Sequence, residues 1–146
     1  MSTTIRPELS ERNPYYVPKE RYLELLHFTR QFEYWVTECN RYDIHSVRTD
    51  YDRVQINDVK DNTARDAMCN ASMSNKIKMV HKCAFKAVDI VCKGVIRDYQ
   101  TVIDALIFGI VHDQGYDFIN VNHIISRDMY YKVYHCYFWL LNKERD

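Results

Sequence analysis

The chain has 146 residues, 20 Lys and Arg against 20 Asp and Glu, and 47% hydrophobic residues of which the aromatics make up 14% of the chain. That length and apolar content suit one helical domain able to bury a core without metal or disulfides, and zero net charge excludes a polybasic, purely electrostatic nucleic-acid coat. No apolar run approaches the roughly 18 residues of a membrane span.

Only three Gly and three Pro occur, and all the Pro lie before residue 19, so the remainder can run as helix with few forced breaks. The expected fold is all-α, a compact helical bundle. Five Cys (39, 69, 83, 92 and 136) form no C-x-x-C pair, which fits reduced, mostly buried thiols rather than a disulfide framework or a zinc site. No metal and no cofactor are expected. The N-terminus lacks the basic and apolar blocks of a signal peptide, so the expected location is the cytoplasm.

Residues 1–14 are polar and aperiodic and read as a mobile arm, with a single helical domain over 15–146. Pro18 suits the first turn of a helix over 18–39, whose apolar stripe runs Tyr22, Leu25, Phe28, Phe32, Trp35, Val36 and Cys39. Residues 40–60 show no sustained period beyond a short extended possibility at 54–56, and read as a connector or contact loop.

A helix over 62–93 follows, capped by Asp61 or Thr63. Ala64, Ala67, Ala71 and Ser74 place small residues on one side for close helix approach, and Ile77, Val80 and Ala84 continue the buried line. Lys78, Lys82, Lys86 and Lys93 recur at spacings of four, four and seven and form a basic ridge for phosphate or an acidic partner, with a solvated exterior as the competing reading. Residues 60–97 hold eight Lys and Arg against three acids, whereas 98–146 hold four against seven. The basic and acidic halves are distinct.

The next helix spans 98–114, with Val102, Ile103, Leu106, Ile107, Ile110 and Val111 inward and Gly115 ending it. A short helix at 116–120 and a turn lead to the last and most aromatic helix, 127–142. Ser126 is its N-cap and Asp128 suits its positive end. Tyr130, Val133, Tyr134, Tyr137, Phe138 and Leu141 fall on one face at helical spacing and belong to the core. Helix, short helix, turn and long helix over 98–142 is the order of a helix-turn-helix. Away from the core stripe lie Tyr131, His135, Trp139 and Asn142 with Lys132 alongside, read as a contact surface, burial against the first helix being the alternative. His112-Asp113 has the H-D pairing of metal phosphohydrolases without the remaining ligands, and no nucleophile motif, Gly-rich phosphate loop or H-E-x-x-H is present, so no enzyme is expected.

The segments Y-Y-V-P-K-E-R-Y-L-E-L (15–25), I-S-R-D-M-Y-Y (125–131) and F-W-L-L-N-K-E-R-D (138–146) resemble small phage and prophage proteins of Gram-positive bacteria. The C-terminal part of those proteins is similar to the helix-turn-helix of ArpU/RinA-type late-gene regulators and of sigma-factor region 4. The resemblance implies a DNA-binding transcription regulator in a bacterial host cell. Arg127, Tyr131, Lys132 and His135 would then meet DNA, with Trp139 beside them on the same surface. The alternative is a phage accessory protein that binds a host protein, a nuclease or RNA polymerase for example, and inhibits it through the same scaffold. A homodimer is a further possible assembly.

Overall fold

The computed structural model describes residues 13–49 and 59–145, and the side chains at 13–40 and 71–145. Its regular elements are all helical: α1 (Lys19–Arg30), α2 (Phe32–Thr49), α3 (Val59–Cys92), α4 (Tyr99–Val111), a 3-10 turn at Tyr116–Phe118, and α5 (Arg127–Glu144). The chain is all-α. It divides into two compact units, one of residues 1–31 with 79–146 and the other Phe32–Lys78.

The helix expected over 18–39 is two helices. Gln31 takes φ −81° and ψ −2°, and its N–H donates to the carbonyls of Phe28 and Thr29 instead of continuing the ladder. Pro18 stands just outside α1 as its N-cap at ψ 146°, because proline supplies no N–H but does fix a helix-compatible φ. Residues 40–49, expected as connector, are the end of α2. The arm at 1–12 and the extended possibility at 54–56 lie outside the described residues. α3 begins at Val59, before the expected caps Asp61 and Thr63.

In the first unit α1 packs on α4 and α5. Leu25, Phe28 and Thr29 of α1, Val102, Leu106 and Ile110 of α4, and Tyr130, Val133, Tyr137, Phe138 and Leu141 of α5 are all buried. Each large apolar side chain taken from water contributes about 1.5–3 kcal/mol, which makes this aromatic and aliphatic set the main stabilising term. Among the described residues Thr29 is the one buried polar residue, and its hydroxyl is satisfied twice, by donating to the Leu25 carbonyl at 3.0 Å and by sharing a 2.8 Å bond with the Tyr137 hydroxyl. The C-terminal part of α3 adds Val80, Cys83, Ala84, Ala87, Val88 and Cys92 to the buried set. Of the small residues expected to admit a close neighbour, Ala71 is exposed and Ser74 half-buried, while Ala84 and Ala87 take that role further along.

In the second unit Trp35 of α2 is 2% exposed, and the Lys76 ammonium of α3 lies 5.7 Å from its ring centroid. That is within reach of the ring quadrupole.

The expected cap of α5 forms, Ser126 accepting a 3.3 Å bond from the Met129 N–H, and Asp98, expected inside the helix, instead caps α4, accepting from the Thr101 N–H at 3.1 Å and its hydroxyl at 2.6 Å. These bonds hold the Asp98 carboxyl below its usual range. α4 ends earlier than expected, at Val111, and Asp113 rather than Gly115 adopts the left-handed conformation, φ 54°, that turns the chain. Aspartate is among the few non-glycine residues that tolerate this region. The order helix, short helix, turn, long helix is present, with the short member reduced to the 3-10 turn.

Candidate functional site

Two surfaces of the first unit carry chemistry. The first is a cleft of about 520 Å³ lined by residues from α1, α4, the 113–118 turn and the first two turns of α5. Five of its lining residues are tyrosines: 22, 116, 130, 131 and 134. Four of them are held by their hydroxyls. Tyr22 and Tyr134 share a 2.6 Å bond, Tyr116 donates to the Ile125 carbonyl at 2.6 Å, and Tyr131 accepts from the Tyr116 N–H at 3.0 Å.

Arg30 and Arg127 line the same cleft. Arg30 donates through Nε to the Ile110 carbonyl at 3.3 Å and pairs with Asp113 at 3.4 Å; Arg127 pairs with Asp117 at 2.9 Å and sits 5.6 Å from the Tyr131 ring centroid. The Asp117 hydrogen bond and charge raise the Arg127 pKa, so its guanidinium is permanently charged.

Arg127 and Tyr131, expected to face DNA or a partner, are thus brought together in the cleft. The other four expected contact residues are elsewhere on α5. Lys132 is exposed. His135 is half-buried, its ring 5.8 Å from that of Tyr134. Trp139 is covered by the Lys143 ammonium, 3.5 Å from its ring centroid, with the Tyr15 ring at 5.5 Å. Asn142 accepts a 2.6 Å bond from Arg21. Much of the expected α5 contact surface is therefore engaged by the protein itself.

The second surface is the outer side of α3. Lys82 and Lys86 keep exposed side chains there, Lys93, expected as the helix end, is exposed in the turn just after Cys92, and Lys78, also exposed, belongs to the other unit. Phe85 is 50% exposed and Ile90 51%, and helical register places them on opposite flanks of the lysine line. Phe85 also meets the Tyr99 ring edge-on at 5.8 Å. Lys82 pairs with Glu144 of α5 at 2.9 Å, which raises the lysine pKa and lowers that of the carboxyl. Sequence reasoning found the lysines. It missed Phe85 and Ile90, whose signal was an apolar residue on each side of the ridge.

Burial pushes the Cys83 and Cys136 thiols up to about 11, so both are protonated at neutral pH and neither is poised as a thiolate. Among the described residues no three His, Cys, Asp or Glu side chains converge as metal ligands, and no helix is long and apolar enough to cross a membrane. No protein-family profile, curated protein or solved structure matches the chain.

Proposed function

We propose that this chain is a binding protein, of the phage accessory type that acts on a host protein, and that it docks an acidic protein surface onto the outer face of α3. The observation that carries this reading is the placing of half-exposed Phe85 and Ile90 on either side of Lys82, Lys86 and Lys93. Phosphate contact needs the lysines alone, whereas a protein interface also needs apolar anchors that lose water on binding, beside charges that orient the partner. With Lys82 held by Glu144, Lys86 and Lys93 are the cations offered to the partner.

The acidic balance of 98–146 does not make a competing acidic face of equal strength. Asp113, Asp117 and Glu144 are paired with Arg30, Arg127 and Lys82 and are locally neutralised. A helix-turn-helix regulator is the second reading. The Ser126 cap at the start of α5 and the exposed Lys132 favour it, while the engagement of Arg127 with Asp117 and of the Tyr131 hydroxyl with the Tyr116 N–H counts against it.

Photo-crosslinking in a Gram-positive host tests the first reading. A benzophenone amino acid placed at Phe85 or Ile90 is expected to give an adduct with one and the same protein, absent from a control at the exposed Glu24 of α1. Charge reversal by Lys86→Glu with Lys93→Glu is expected to abolish both adducts. Adducts that survive the reversal, or that appear equally at Glu24, would remove this surface from consideration.

A further inference from the structure

The tyrosine cleft has features that docking through α3 does not use. Tyr130 is 1% exposed and lines the cleft. Tyr131 uses its oxygen as an acceptor for the Tyr116 N–H, which leaves its O–H proton available.

Two of the three glycines in the chain lie against these two hydroxyls. A Cβ at Gly109 would come within 3.1 Å of the Tyr130 hydroxyl, and one at Gly115 within 3.3 Å of that of Tyr131. The missing Cβ atoms let both hydroxyls approach the backbone closely.

The cleft's charge is arranged by depth. Arg30 and Arg127 side chains are 34% and 51% exposed, whereas their partners Asp113 and Asp117 are 74% and 66% exposed. Hydrogen-bond donors therefore dominate inside and carboxylate acceptors stand at the rim. Each guanidinium carries five N–H donors in a fixed fork, and one aspartate contact, plus the Ile110 carbonyl for Arg30, leaves donors to spare. The carboxylates hold the two forks in place.

A matching ligand has an oxyanion for the guanidinium and phenol donors, a flat ring for the half-buried Tyr22, Tyr131 and Tyr134, and N–H or O–H groups for the rim carboxylates. The cleft volume lies within the range of about 300–1,000 Å³ typical of small-ligand sites. We infer that the cleft binds a mononucleotide, its phosphate between Arg30 and Arg127 and its base against the tyrosine rings. This is independent of the α3 docking face.

Isothermal titration of the full chain with AMP, UMP, adenosine and inorganic phosphate tests it. At least one mononucleotide is expected to bind one to one and about tenfold more tightly than adenosine or phosphate alone, since ring and anion contacts act together. Arg127→Gln, at a half-exposed position that the fold does not need, is expected to weaken that binding about tenfold, as loss of a charge-assisted contact does. Lys132→Gln, one turn on and outside the cleft, is expected to leave it unchanged. Failure of both nucleotides to bind at about 1 mM, the weak end of specific affinities, would overturn the inference. So would phosphate binding as tightly as the nucleotide, or an unchanged affinity in Arg127→Gln. A phosphotyrosyl peptide that binds where neither nucleotide does would overturn it in favour of a protein ligand.

Discussion

Replacing Tyr137 by alanine is expected to destabilise the fold by about 3–5 kcal/mol, the range for removing a large aromatic side chain from a packed interior. Tyr137 is fully buried in the middle of α5, its ring 5.0 Å from that of Phe138, and burial holds its phenol strongly in the neutral form. Tyr137→Phe separates packing from hydrogen bonding. It removes the 2.8 Å bond to Thr29, but the Thr29 hydroxyl still donates to the Leu25 carbonyl, so no buried donor is orphaned. The expected loss is about 0.5–1.5 kcal/mol, the net worth of one such bond. Urea unfolding of the three proteins checks the pair of values. Equal losses for Phe and Ala would mean that the hydroxyl, not the ring, dominates at this position.

Gly109→Ala is expected to reverse the usual sign of a glycine-to-alanine change in a helix. Inside α4 alanine would ordinarily stabilise by about 0.5–1 kcal/mol through its smaller backbone entropy. Here the new Cβ would lie 2.9 Å from the backbone carbonyl oxygen of Gln114 and 3.1 Å from the Tyr130 hydroxyl. The Gln114 segment is returned onto the helix by the 2.8 Å bond from its N–H to the Gly109 carbonyl, so that oxygen cannot swing aside without breaking the turn. The net expectation is a loss of about 1–3 kcal/mol, the ordinary penalty of overpacking, read as a lowered urea midpoint at unchanged slope. A gain in stability would show that the turn after α4 yields.

The core was legible where periodicity is strict. On α5 five of the six residues assigned to the apolar face, Tyr130, Val133, Tyr137, Phe138 and Leu141, are buried, and Ser126 caps the helix as its position before the stripe implies. Tyr134 departs from that set because its hydroxyl reaches the cleft to pair with Tyr22. The break at Gln31 was hidden because Phe28, Phe32 and Trp35 keep helical spacing across it and neither Gly nor Pro marks the place. The end of α4 was misplaced for a related reason. Asp113 performs the left-handed turn usually given to glycine, and Gly115 instead makes room for a hydroxyl.

Only Arg127 and Tyr131 of the cleft were singled out in the chain, as contact residues. Its other tyrosines and Arg30 come from α1, the 116 turn and α5, and each alone reads as core or solvated surface. Only packing of α1 against α4 and α5 brings Arg30 and Arg127 to one cavity. The α3 face was half legible: lysine spacing shows in sequence, but the exposure of Phe85 and Ile90 depends on which side of α3 the core occupies.

On the proposed reading Lys82, Lys86 and Lys93 serve a protein interface rather than a phosphate backbone. Fluorescence anisotropy against random duplex DNA, titrated from about 50 to 200 mM salt, separates the two most directly, because phosphate contacts weaken steeply over that range. The expected result is no saturable binding even at the lowest salt. Micromolar binding with a steep negative salt dependence, lost on changing Lys86 and Lys93 to glutamine and unaffected by Phe85→Ser, would contradict the claim and assign the face to nucleic acid.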